Sequence, residues 1–162
     1  MRDMSTSSVT PIARFEVAQT QRAIILLVED ESMVREVTRQ VLEHAGYEVL
    51  ESAGAREALR LAAEHRGRIH LLLSDVVMPG MNGFELAHRI ARMQPHLTTV
   101  FMSGYAEAAM LRESVQDPGR TYLQKPFTID LLLTCVDEAL ARNLGAAAQS
   151  LEVTDLGARQ CD

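Results

Sequence analysis

Short aliphatic runs, each closed by a polar residue and followed by a helical pattern, constrain this chain more than any other feature. The runs are Ile24-Ile25-Leu26-Leu27-Val28, Leu71-Leu72-Leu73, Thr99-Val100-Phe101-Met102 and Tyr122-Leu123. Continuous apolar runs of this length read as strands buried on both faces, as in a parallel sheet covered by helices. The residues that close them are Glu29-Asp30, Asp75, Ser103 and Lys125. In an open parallel sheet the carboxyl ends of the strands face one crevice, where ligands bind. Three carboxylates, a hydroxyl and an ammonium are therefore expected to converge.

The pattern predicts strand 24–28, a helix from about Ser32 to Ala45 with Met33, Val34, Val37, Val41 and Leu42 at helical spacing, and Gly46 as its cap. Strand 47–52 and an Ala-rich helix over 55–66 follow, then strand 69–74. Pro79-Gly80 and Asn82-Gly83 mark a tight loop. A helix over 83–93, strand 98–102, a helix over 106–116, strand 120–124 and a helix over 128–142 complete the series. Leu131, Leu132, Val136 and Leu140 supply the buried stripe of the last helix. Strand-helix alternation of this kind predicts an α/β fold, a doubly wound five-stranded parallel sheet with helices on both faces. Residues 1–22 read as a flexible N-terminal arm with a short helical turn near Ile12 to Ala18, 23–143 as one folded domain, and 144–162 as a C-terminal tail without pattern.

Composition narrows the function classes. A chain of 162 residues has room for one complete core. A net charge of −6 leaves no electrostatic footprint for nucleic acid. No apolar stretch approaches the roughly 20 residues that cross a bilayer, and the N-terminus has no apolar signal region. Cys135 and Cys161 lack metal-ligand spacing and read as reduced thiols of a cytoplasmic protein. The five histidines form no pair at metal spacing and read as surface or helix-end residues.

Each closing residue has a plain reading and a chemical one. Adjacent carboxylates such as Glu29 and Asp30 repel by roughly 1 kcal/mol at 4 Å in water, and more where the dielectric falls. A divalent cation removes that cost, and hard oxygen ligands suit Mg²⁺. Taken alone, the pair is an acidic helix start favoured by the dipole. Asp75 alone would cap a turn; its alternative is a nucleophile that takes a phosphoryl group as an acyl phosphate. Such transfer depends on positioning and charge neutralisation. Lys125 can reach Asp75 and pair with a phosphoryl oxygen, and Ser103 can donate a hydrogen bond to it.

As a set, these positions resemble the receiver domain of two-component response regulators, over about residues 23–143. The matching segments are Leu27-Val28-Glu29-Asp30-Glu31, Ser74-Asp75-Val76-Val77-Met78-Pro79-Gly80-Met81-Asn82-Gly83, Phe101-Met102-Ser103-Gly104-Tyr105 and Tyr122-Leu123-Gln124-Lys125-Pro126-Phe127. The resemblance implies a flavodoxin-like (βα)5 sheet of order 2-1-3-4-5 and phosphorylation of Asp75 from a phosphohistidine on a histidine kinase or histidine phosphotransfer protein. It implies Mg²⁺ on Asp30, Asp75 and the backbone carbonyl of Val77, with Glu29 acting largely through water. Ser103 would be the switch hydroxyl, Lys125 the charge clamp, and Tyr122 the aromatic whose rotamer reports phosphorylation. Glu29 stands where Asp is frequent, and Ser103 where Thr is frequent. Apolar Val77 cannot position an attacking water and bulky Tyr105 would cover the acyl phosphate, so slow self-dephosphorylation is expected.

The leading expectation is a stand-alone phospho-acceptor that signals to a downstream protein target, without turnover of an external substrate. Its output face would be helix 106–116, strand 120–124 and the last helix, also the candidate surface for a homodimer. The segment around Ser103 also looks like receivers of hybrid histidine kinases, although Met1 and the short tail favour an independent product. An aspartyl-phosphate phosphatase or phosphotransferase is the competing enzyme class, and Val77 argues against it. A phosphate-free pseudo-receiver is the third class, which the intact Asp75 and Lys125 oppose.

Overall fold

The computed structural model describes residues 22–104 and 120–155. Strands β1 (Ile24–Val28), β2 (Glu48–Ser52), β3 (Leu71–Asp75), β4 (Thr98–Ser103) and β5 (Thr121–Gln124) alternate with α1 (Ser32–His44), α2 (Ala55–Glu64) and α3 (Gly83–Met93), and α4 (Ile129–Asp155) follows β5. The strands form one parallel sheet of order β2-β1-β3-β4-β5, the order expected above. The expected helix over 106–116, Tyr105, the turn near Ile12 to Ala18 and Cys161 lie outside the described residues. No helix among the described residues is long and apolar enough to cross a membrane.

The two-residue period of a strand divides the aliphatic runs between two cores. Ile25, Leu27, Leu71, Leu73, Val100, Met102 and Leu123 face α1 and α4, meeting Leu42, Leu132, Cys135, Val136 and Ala139. Ile24, Leu26, Val28 and Leu72 face α2 and α3, meeting Ala55, Ala58, Ala62, Leu86 and Ile90. Each fully buried Leu or Ile contributes about 1.5–3 kcal/mol. The small alanines of α2 let that helix lie close to the sheet. Gln94 ties the pair of helices on this face together, its Nε2 donating to the Ala62 carbonyl at 2.9 Å in a buried position.

Two of the expected helical stripes need correction. In α4, Leu131 is 50% exposed while Leu132 is 1% exposed. Neighbouring helical positions point about 100° apart, and Leu131 falls outside the face that Leu132, Cys135, Val136 and Ala139 turn to the sheet. In α1, Met33 and Val37 face solvent, and the buried positions are Thr38 and Leu42. The last helix also continues to Asp155, past the expected end near 142. Its run Ala146-Ala147-Ala148 is of the residue type with the highest helix propensity, which favours continuation of the helix. His70 departs from a surface role, since its Nδ1 accepts the Ile24 N–H at 2.9 Å at the start of β1.

Two local devices hold the loop between β3 and α3. Asn82 caps α3, its Oδ1 accepting the Glu85 N–H at 2.9 Å. Gly83 donates its N–H to the Val76 carbonyl at 2.8 Å. A Cβ on Gly83 would stand 2.2 Å from the Asp75 carbonyl oxygen, so only glycine permits this approach. Replacement Gly83→Ala is expected to cost about 1–3 kcal/mol by overpacking, read as a lower urea midpoint; an unchanged midpoint would refute the close approach. Tyr47, which packs against the first core, donates a hydrogen bond from its hydroxyl to Asp137. Burial, aided by Asp137, pushes its phenol up to about 12. Stability linked to this group is present below pH of about 10 and lost as pH rises through the folded value. Absorbance titration of the native protein should therefore lose a transition near 12 in Tyr47→Phe. Loss of one near 10 instead would count against the contact.

Candidate functional site

Two strand-ending residues and three that directly follow strands build the site. Glu29 and Asp30 leave β1, Asp75 ends β3, Ser103 ends β4, and Lys125 follows β5. Backbone bonds continue the sheet into this edge: Glu29 N–H to Ser52 O at 3.1 Å, Val76 N–H to Met102 O at 2.9 Å, and Lys125 N–H to Ser103 O at 2.8 Å. The polar side chains are thus held by the ladder rather than by free loops. The Lys125–Pro126 peptide bond is cis.

Glu29, Asp30 and Asp75 offer carboxylate oxygens that all lie within 4.8 Å of one another. Glu29 is fully buried, Asp75 is 7% exposed, and Asp30 faces solvent. Lys125 Nζ lies 2.5 Å from Glu29 Oε2 and 3.0 Å from Asp75 Oδ2. Glu29 Oε1 accepts the Glu31 N–H at 3.1 Å. Burial pushes the Glu29 carboxyl up, and the hydrogen bond from Lys125 only partly offsets it. Burial alone would lower Lys125, but hydrogen bonds to Glu29 and Asp75 outweigh it and raise the ammonium above its ordinary value. Lys125 is therefore charged at neutral pH. Three carboxylates against one ammonium leave the cluster with surplus negative charge and oxygen donors of the type a hard divalent cation takes.

Ser103 Oγ and Tyr122 OH are buried atoms without a hydrogen-bond partner among the described residues. An unsatisfied buried hydroxyl costs about 1–3 kcal/mol, so each is poised to gain from an incoming acceptor. Tyr122 sits beside Phe101 in the β4–β5 register, and their rings stack with centroids 5.7 Å apart. Phe101 in turn meets Phe84 of α3 at 4.7 Å, with the Arg120 guanidinium 5.4 Å from the Phe84 centroid. Val77 is 55% exposed, two residues past Asp75.

Glu29, Asp30, Asp75, Val77, Ser103, Tyr122 and Lys125 lie at this edge of the sheet or on the strands beside it, while Tyr105 is outside the described residues, and the structure adds contacts that sequence reasoning missed. Arg35 Nη1 donates to the Glu29 carbonyl at 2.8 Å and to the Asp30 carbonyl at 3.5 Å, which pins the turn bearing both acids. A cation in the first turns of a helix opposes the dipole, and that misfit was the available signal. Ser74 Oγ donates to the Asp75 carbonyl at 2.9 Å, and Gly83 presses on the same oxygen.

Residues 25–137 match the family model described as the response regulator receiver domain. The chain is 40% identical over 120 residues to the sensor kinase CckA of Brucella abortus, covering 74% of this chain and 13% of that protein. It is 37% identical over 117 residues to the response regulator receiver protein CpdR of the same organism, covering 72% of this chain and 95% of that protein. The chain thus spans only 13% of CckA, and 23% and 24% of the regulatory proteins DctD of Rhizobium meliloti and NtrC of Bradyrhizobium. A crystal structure of the receiver domain of the hybrid histidine kinase CckA superposes with a TM-score of 0.62 at 38% identity, covering 73% of this chain and 99% of that one. A receiver domain from Clostridium thermocellum gives a TM-score of 0.68 at 28% identity, covering 74% of this chain and 95% of that one. By its motifs, its sheet order and the match over residues 25–137, this chain belongs to the response regulator receiver domain family.

Proposed function

We propose that Asp75 is the phospho-acceptor of a signalling switch, charged by a phosphohistidine on a histidine kinase or histidine phosphotransfer protein. The observation that carries this reading is the nearly buried Asp75 carboxylate, with Lys125 Nζ at 3.0 Å and two further acids at the same sheet edge. An Asp75 carboxylate oxygen attacks phosphorus as the P–N bond breaks, its electron pair returning to the partner's imidazole. Lys125 pairs with a phosphoryl oxygen, and the partnerless Ser103 hydroxyl donates to another. The carboxylates Asp30 and Asp75 and the Val77 carbonyl would hold Mg²⁺, with Glu29 behind them. When bound, the cation neutralises charge on the phosphoryl oxygens. The reading carries a cytoplasmic location and output through protein contacts.

Signal would leave through Tyr122. Once Ser103 turns toward phosphate, the Tyr122 ring and its stack on Phe101 are free to repack, biasing a two-state surface. The downstream target and a homodimer would engage that surface, the β5 and α4 face. A second reading, the receiver portion of a hybrid kinase, is favoured by the 40% identity to CckA. A phosphatase that turns over through Asp75 needs a second acid or base beside it, and the side chain two residues on is Val77.

Incubation with acetyl phosphate and Mg²⁺ should add one phosphoryl group by intact mass, absent in Asp75→Asn. No increment from acetyl phosphate or from a phosphohistidine donor would refute the reading. Hydrolysis of phospho-Asp75 is expected to be slow, because Val77 offers no polar group to hold the attacking water. Replacement Val77→Asn should shorten the phosphoryl lifetime at least about tenfold. A wild-type half-life of seconds with Mg²⁺ alone would contradict this.

A further inference from the structure

The amino-terminal edge of the sheet, opposite Asp75, holds a polar cavity of about 350 Å³. Arg22 before β1, Ile24, Glu48 at the start of β2, and Gly67, Arg68 and His70 of the α2–β3 connection line it. Elsewhere Arg39, Arg60 and Arg89 each meet a glutamate at 2.6–2.7 Å. Neither Arg22 nor Arg68 has a carboxylate within 4.0 Å among the described residues, although Glu48 shares their cavity. The imidazole is fixed as well. His70 Nδ1 accepts the Ile24 N–H at 2.9 Å, so the neutral ring carries its proton on Nε2 and donates from there. Backbone bonds hold these segments together, His70 N–H to Ile24 O at 2.9 Å and Glu48 N–H to Ala23 O at 3.0 Å. Gly67, at φ 75°, adds backbone without a side chain, and a Cβ there would meet nothing within 4 Å.

We propose that this cavity binds the phosphate group of a small, non-aromatic phosphorylated compound, at a site separate from Asp75. Arg22 and Arg68 together match a dianion, which a phosphate supplies and a monocarboxylate does not. A guanidinium is more weakly hydrated than an ammonium, and its planar fork fits phosphate oxygens. The donors come from two separate segments, one before β1 and one before β3, so the ligand is held from more than one side. Glu48 is the opposing charge of the lining and limits affinity. Ile24 is the one apolar side chain among the described lining residues, and no aromatic ring is present for a base to stack on. The rest of the ligand is therefore small and polar. A net charge of −6 over the chain opposes an extended polyanion such as nucleic acid. A bound phosphate ties Arg22 to Arg68 and so holds the start of β1 against the α2–β3 turn.

The full chain is titrated with pyrophosphate in EDTA at constant ionic strength, and ¹H–¹⁵N amide shifts are followed. Without a divalent cation the carboxylates at the other edge of the sheet repel the probe, so the two edges report separately. Saturable shifts are expected at Gly67, Arg68 and His70 with a Kd below about 1 mM, and none at Asp30 or Asp75. Arg22 and Arg68 are both exposed, so their replacement leaves the core intact. Arg22→Ala and Arg68→Ala should each weaken binding at least about tenfold, and Glu48→Gln should tighten it about threefold by removing a repelling charge. Acetate that saturates the same amides as strongly would mark an unselective cationic surface and overturn the proposal. Shifts that stay linear to about 10 mM, or that persist unchanged in Arg68→Ala, overturn it as well.

Discussion

Burial of the strands on both faces is the constraint from which the rest of this structure follows. Parallel strands covered on each side keep polar groups toward their ends: β1 is aliphatic up to Glu29, β3 turns polar at Ser74-Asp75, and β4 runs Val100-Phe101-Met102 before Ser103. Glu29, Asp75, Ser103 and Lys125 are adjacent because Val28 is in register with Ser74, Asp75 with Met102, and Met102 with Leu123. The sheet therefore holds the site more firmly than any loop.

Electrostatics at that edge are unequal by design of the burial. Glu29 is withdrawn from solvent and satisfied within the protein, Asp75 is nearly so, and Asp30 stays in water. A charge in low dielectric is costly unless paired, which makes Lys125 as much a requirement of Glu29 as a partner of Asp75. The Ser103 and Tyr122 hydroxyls are the opposite case, buried polar groups without a hydrogen-bond partner among the described residues. Unsatisfied groups beside a phospho-acceptor give the site something to gain when a new acceptor arrives.

Periodicity revealed the strands, three of the helices in near-final bounds and the sheet order through family likeness. It erred where neighbouring apolar residues compete for one face, as with Leu131 against Leu132, and where a helix turns its apolar residues outward, as with Met33 and Val37. The continuation of α4 to Asp155 was legible in the alanine run but hidden by the loss of an amphipathic stripe. The cation at the start of α1 and the Asn82-Gly83 pair were visible in the sequence, but the backbone carbonyls that Arg35 and Gly83 meet were not, because no side-chain pattern encodes such contacts.

The linear sequence alone determined the alternation of buried strands and helices, the order of the polar residues and their place at strand ends, since these depend on local hydrophobic period. Only the tertiary structure decided that Lys125 bonds both Glu29 and Asp75, that Asp30 remains in water, and that Ser103 and Tyr122 have no hydrogen-bond partner among the described residues. Those outcomes depend on side-chain direction and on how far each group is drawn out of solvent. Both are set by packing across the sheet between residues far apart in the chain.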